Sequence, residues 1–227
     1  KVTLGEGIGN DWREISIEQL VATAVTETTR LDNPQQIVDT LFTVTPTVAG
    51  MHTRILARVR ARINKKVLAI FGATSQNAIQ RKKDEDGLTV LDGATTILSG
   101  AGTTLQSGVI AAASYRITGN STEPAKLPIR CVLHPFQGKD IWDEITAPIG
   151  TYPVPEGLTA RVFVEQYRGT IADAQIYLDG NITIDSSDDA KGGVFAQMGI
   201  VLVQGRSPYT LTKDEPDIGG GGTSVYL

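Results

Sequence analysis

The chain has 227 residues, 41% of them apolar and 6% aromatic, with 24 glycines and a formal net charge of −4. That length holds one large domain or two small ones, and the glycine-rich, aromatic-poor balance favours strands, turns and extended surface over an aromatic-lined ligand cleft. The single Cys131 excludes an intrachain disulfide framework, no apolar run is long enough to cross a bilayer as a helix, and no secretory signal is visible.

Residues 1–14 (KVTLGEGIGNDWRE) are polar and glycine-rich and predict an extended arm rather than a core element. Gly5, Gly7 and Gly9 do not make a dinucleotide loop, because the third glycine is misplaced and no strand precedes them. Two β-branched clusters follow, Val21 to Thr29 and Ile37 to Val48, with the turn signal Leu31-Asp32-Asn33-Pro34 between them. They predict a two-stranded hairpin with about 12 residues per strand. Such a ribbon has too few bulky apolar positions to fold alone, so it must lie on its own body or on a neighbouring subunit.

The stretch Met51–Lys83 holds no acid and no proline, and carries nine of the 21 Lys and Arg. With +9 there and a net −4, the rest of the chain holds −13. Ile55, Val59, Ile63 and Val67 recur every fourth residue, which predicts one long helix over 51–83. Arg54, Arg58, Arg62, Lys65 and Lys66 share a neighbouring arc, and Arg60 stands apart. Gly72 marks a bend or a close contact within it. The cluster Asp84-Glu85-Asp86-Gly87 reads as the helix terminus. It is not a calcium loop, since Thr95 stands where the closing carboxylate should be.

A second helix is predicted from an N-cap at Thr103 or Thr104 to Gly119-Asn120, then a buried strand Ile129–Leu133, then a third helix from Pro135 through Ile145. From Pro148 to Gly193, strands are predicted at Arg161–Val164, Thr170–Leu178 and Asn181–Ile184, forming a second, smaller lobe. Asp185, Asp188 and Asp189 form an exposed acidic loop. An apolar segment at 194–203, an extended piece at Pro208–Thr212, a glycine hinge at 219–222 and a strand-like end at Ser224–Leu227 complete the chain.

Chemistry-bearing groups are sparse. A nucleophile–histidine–acid array must use His52 or His134, no Gly-x-Ser-x-Gly elbow exists, and Cys131 lies in an apolar strand where a thiol is inert. Two histidines and one cysteine far apart give no metal-ligand pair. Neither a catalytic residue, a metal site nor a cofactor is therefore assigned.

In this order the residues resemble the major capsid proteins of tailed bacteriophages, the Hong Kong ninety-seven capsid fold. ATAVTETTRLDNPQQIVDTLFTVTPTVAG is similar to the E-loop, and the basic helix to the spine helix ending in AIQRKKDEDGLT. The run from Gln106 through CVLHPFQGKDIWDEI resembles the P-domain core, and GTIADAQIYLDGNITID with KGGVFAQMGIVLVQGR resembles the A-domain and its return. The resemblance implies an α+β fold with an N-terminal arm at 1–14, an E-loop hairpin at 15–50, a P-domain at 51–147 with spine helix 51–83, an A-domain at 148–197 and a return at 198–227.

It further implies a subunit that assembles with copies of itself into hexamers and pentamers of an icosahedral shell around double-stranded DNA. Its other implied partners are scaffolding, portal and decoration proteins; no membrane is involved. The hairpin acids Glu27, Asp32 and Asp39 are expected to meet Arg54, Arg58 or Arg62 of a neighbouring copy. Within the same fold, the alternative is an encapsulin-like shell with a protein cargo; from a different class, it is an α+β enzyme.

Overall fold

The computed structural model describes residues 1–4, 11–17, 20, 22, 24–28, 34, 39–62, 67–120, 124–146, 169–218 and 220–227. The chain divides into two compact units, Lys1–Ile79 with Val201–Leu227, and Gln80–Ile200.

The first unit opens with β1 (Val2–Thr3), β2 (Trp12–Ile17), β3 (Asp39–Val44), β4 (His52–Leu56) and α1 (Ala57–Arg62). Helix α2 (Val67–Asp92) starts in the first unit and ends in the second. There follow α3 (Ser107–Thr118), β5 (Ile129–Leu133), α4 (Pro135–Thr146), β6 (Thr170–Ile171), β7 (Ala174–Leu178) and β8 (Gly193–Ala196). The chain returns to the first unit as β9 (Val203–Gln204), β10 (Leu211–Glu215) and β11 (Gly222–Tyr226). β9 lies parallel to β1, and β11 sits between β10 and β4 in an antiparallel sheet. Met51 and Leu227 extend that ladder by exchanging backbone hydrogen bonds of 2.9 Å.

The helix expected over 51–83 differs at both ends. Residues 52–56 are a strand, because the ladder offered by 222–226 outcompetes the helical period of Ile55 and Val59. At the other end the helix runs through Gly87 to Asp92. Its supposed terminal acids are taken up one turn back, in Arg81–Glu85 and Lys82–Asp86 pairs at 2.8 and 2.6 Å. Gly87 costs about 1 kcal/mol there, but one turn on Leu91 packs against Gly193, where a Cβ would come 2.5 Å from Leu91 Cγ. A Cβ at Gly72 would meet nothing within 4 Å, so no close contact explains that residue.

The first strand of the hairpin is also displaced. β2 precedes the Val21–Thr29 cluster and pairs antiparallel with β3, Trp12 opposite Val44 and Ile17 opposite Asp39. Residues 22 and 24–28 carry no strand; the turn signal at Leu31-Asp32-Asn33 lies outside the described residues.

In the second unit the sheet order is β6-β7-β5-β8, with β5 parallel to β7 and antiparallel to β8. Alternation along β5 buries Ile129, Cys131 and Leu133 on one face, beneath Ile110 of α3 and Ile141 of α4. The strand expected over 170–178 is instead the hairpin β6–β7. Its turn residues Ala172 and Asp173 have φ of 46° and 64°, a left-handed pair without the Asn-Gly signature that would have announced it. The Ser114 hydroxyl on α3 donates to the Ala172 carbonyl at 2.6 Å and anchors that turn.

Asn181–Ile184 forms no strand, only an isolated bridge from Ile184 to Ala190, and Arg161–Val164 lies outside the described residues. β10 begins within the extended piece expected at Pro208–Thr212, three residues after its start, and runs on to Glu215. Gly220 and Gly221, at φ of 84° and 94°, turn the chain from β10 into β11.

α3 starts at Ser107 rather than beside Thr103, whose hydroxyl turns back to the Gly100 carbonyl. Its N-cap Gln106 makes no side-chain cap. α4 supplies one instead: Glu144 accepts from the Ser107 N–H at 2.6 Å and the Ser107 hydroxyl at 2.9 Å, and Asp140 accepts from the Leu105 N–H at 3.2 Å. Two carboxylates one turn apart thus serve the positive end of another helix.

Two predictions follow from this packing. Glu144→Ala should lower the stability of the folded chain by about 1 kcal/mol and Glu144→Gln by less, read from denaturant midpoints. Burial pushes the Cys131 thiol up to about 12, so a thiol reagent at neutral pH should label Cys131 no faster than the chain unfolds.

Candidate functional site

The β2–β3 ribbon leaves large apolar side chains exposed on both of its faces. Ile15 and Leu41 are direct cross-strand partners on one face, and are 58% and 57% exposed. Trp12, Phe42 and Val44 share the other face, where Trp12 meets Phe42 edge-on at 6.3 Å and Phe42 remains 56% exposed. Each face therefore presents apolar surface to water. Burying the exposed half of Ile15, Leu41 and Phe42 would contribute roughly 1 kcal/mol each. At the base of the ribbon, Asp11 accepts from the Thr45 hydroxyl at 2.7 Å and lies 3.7 Å from Arg13.

The charged residues nominated from the sequence are not brought together within the chain. Glu27 is exposed, Asp39 opens β3, and Asp32 lies outside the described residues. Arg54 has a partner that sequence reasoning missed: its Nε lies 2.9 Å from Glu215 Oε2. The two reach diagonally across β11, Arg54 standing opposite Ser224 and Glu215 opposite Gly222. A separation of 161 residues gives no local signal for such a pair. Arg58 and Arg62 are exposed one turn apart on α1, and neither makes an ion pair with a described residue. Trp12 was assigned to the arm and Ile15 to the E-loop, although the alternation in Ile15-Ser16-Ile17 carries a strand signal.

The second unit contains a cleft of about 320 Å³ between α2 and residues 181–183, floored by Leu88, Leu91 and Ile182. Its charges are consumed internally: Arg81 pairs with Glu85, and Lys191 donates to the Asp92 carbonyl at 2.6 Å. Both histidines are structurally engaged. His52 stacks on Tyr226 with centroids 4.4 Å apart, and the buried His134 accepts from the Phe136 N–H through Nδ1 at 3.2 Å. Asp185 turns its own loop by accepting from the Ser187 and Asp189 N–H groups at 2.8 and 3.0 Å. Among the described residues, no three or more acidic, histidine or cysteine side chains are grouped to hold a metal ion.

No family model matches the sequence, and no curated protein matches it. Solved structures do. One from Mycobacterium phage Che8 superposes with a TM-score of 0.71 at 15% identity, over 96% of this chain and 78% of that one. The head structure of Helicobacter pylori bacteriophage KHP40 gives 0.70 at 12% identity, over 99% of this chain and 78% of that one. The capsid structure of Cyanophage P-SCSP1u gives 0.62 at 11% identity, over 100% and 80%. At such identities the likeness is one of fold, and it extends along nearly the whole chain. The fold is the α+β capsid fold of the tailed bacteriophages.

Proposed function

We propose that this chain is the major capsid protein of a tailed bacteriophage. It assembles with its own copies into hexamers and pentamers of an icosahedral shell, built in the host cytoplasm, that encloses double-stranded DNA as the head of the virion. The observation that carries this reading is the ribbon: a chain of capsid fold whose β2–β3 hairpin leaves Ile15, Leu41 and Phe42 more than half exposed on two faces. A second copy laid against the ribbon removes that surface from water, and many such contacts repeated by symmetry close a shell.

In this scheme residues 1–14 are the arm, 15–50 the E-loop, 51–147 and 198–227 the P-domain and 148–197 the A-domain. α2 is the spine. Scaffolding, portal and decoration proteins are the further partners, and DNA contacts are non-specific and salt-sensitive. The structures reported above come from phages, which favours a nucleic-acid content over a protein cargo. The acids Glu27, Asp32 and Asp39 meet Arg58 and Arg62 of the neighbouring copy. Arg54, held by Glu215, is left to its own sheet.

Electron microscopy and sedimentation of the purified chain test the reading. Closed shells are expected, and Ile15→Asp with Leu41→Asp should reduce the assembled fraction at least about tenfold, the change that 1.4 kcal/mol of lost contact produces. The thermal midpoint of the unassembled chain should stay unchanged. A wild type that remains a compact monomer at high concentration, or a double variant that assembles as well as the wild type, would overturn it. For the charge contact, Glu27→Arg and Arg58→Glu should each slow assembly, and the two together should restore it in part.

A further inference from the structure

In the β10-β11-β4 sheet, Val225 is buried and Thr53 and Ile55 are half-buried on one face, so that face is turned inward. The opposite face carries three rows of cross-strand neighbours. His52, Tyr226 and Leu211 form the first, Arg54, Ser224 and Lys213 the second, and Leu56, Gly222 and Glu215 the third. The first row is open to water, with Leu211 56% and Tyr226 37% exposed and His52 stacked on Tyr226. In the second row Ser224 is buried and Arg54 is committed to Glu215. Lys213 is exposed and makes no ion pair with a described residue. We propose that the Trp12–Phe42 face of the ribbon in one copy docks on this sheet face of a second copy, with Glu14 paired to Lys213. The placement rests on the shell reading and names the surface that reading leaves unassigned.

The two faces match row by row. Trp12 stands opposite Val44 on the ribbon, and one row on, Glu14 stands opposite Phe42. Rows on one face of a strand are roughly 7 Å apart, since side chains return to that face every second residue. The ribbon and the sheet therefore share a repeat. With Trp12 and Val44 over His52, Tyr226 and Leu211, the next row sets Glu14 and Phe42 over the row that holds Lys213. Glu14 is exposed and, like Lys213, has no ion-pair partner among the described residues. Apolar surface meets apolar surface in the first row, and a lone acid meets a lone base in the second.

Charge also selects the register. The same alignment directs the far end of the ribbon, where β3 opens at Asp39, along β4 towards α1, which carries Arg58 and Arg62. A slip of one row in that direction sets Glu14 over the row of Glu215, carboxylate against carboxylate, which is unfavourable. Phe42 and Leu211 are each 56% exposed within one chain, so the ribbon does not lie on its own sheet. The contact is heterologous: each copy offers one ribbon and one sheet face, and such contacts close into rings when the rotation between copies divides a full turn.

Particles assembled from a mixture of nitrogen-15-labelled and unlabelled chain, treated with a zero-length carbodiimide and digested, read the contact by mass spectrometry. The expected product is an amide between the Glu14 carboxyl and the Lys213 amine, the carbodiimide taking up the water released, with labelled peptide joined to unlabelled. Lys213→Glu should lower the assembled fraction several-fold, and Glu14→Lys in the same chain should restore much of it. The thermal midpoint of the unassembled chain should not move, since both positions are exposed. Leu211→Asp should also lower assembly several-fold. Shells that form without the Glu14–Lys213 link, or with it only inside single copies, overturn the docking and leave the shell reading standing. So does a Lys213→Glu variant that assembles like the wild type. A chain that forms no shells overturns both.

Discussion

Apolar burial in this chain is concentrated in one place, and much of the remaining architecture follows from that. Among the described residues eight apolar side chains are buried, while twenty-four large ones are exposed. Six of the eight form a single cluster around β5, where Ile129, Cys131 and Leu133 meet α3, α4 and Ala174 of β7. Such a core can hold one sheet and two helices. In the first unit the ribbon formed by residues 12–17 and 39–44 leaves Ile15, Leu41 and Phe42 more than half exposed, on both faces, and isolated two-stranded ribbons are marginal in water.

Charge is distributed by the same logic. Along the C-terminal half of α2 and on α4, bases and acids pair at i,i+4 and contribute little each, since both partners are exposed and screened by solvent. Arg54–Glu215 is different in kind: it links the outer strands of a three-stranded sheet across its central strand, with Glu215 largely shielded. Losing Arg54 leaves the shielded Glu215 charge poorly solvated, so the pair favours the observed register of 52–56 against 211–226. α1 carries three arginines in six residues without a described acid beside Arg58 or Arg62.

How much of this was legible in the sequence depended on how local the cause was. β5, α4 and the C-terminal end of α3 stand where alternation, Pro135 and Gly119 put them, because each is specified by neighbours within a few residues. β4 was misread as helix because its strand character comes from residues 222–226, far along the chain, while Ile55 and Val59 fit a helical period equally well. The terminus at Gly87 failed for a related reason: the packing of Leu91 on Gly193 outweighs what a glycine costs, and no local pattern announces Gly193. The β6–β7 turn was invisible because Ala172 and Asp173 adopt left-handed backbone that their types do not advertise. What holds it is Ser114, contributed by a different helix.

The candidate site shows the same division from the functional side. That the N-terminal ribbon is too thin to bury its own side chains was readable from its composition, yet which residues form it was not, since β2 lies ahead of the β-branched cluster that seemed to define the strand. Of the bases named for the contact, α1 leaves Arg58 and Arg62 accessible, and the sheet withdraws Arg54. That subtraction sharpens the physical picture. A ribbon whose gain on docking is mainly apolar binds wherever greasy surface is offered, so apolar area alone cannot fix its register on a neighbour. In the proposed contact, the two exposed arginines of α1, one helical turn apart, would supply the directional element towards Glu27, Asp32 and Asp39 of a neighbouring copy, and burial of Ile15, Leu41 and Phe42 the gain on docking.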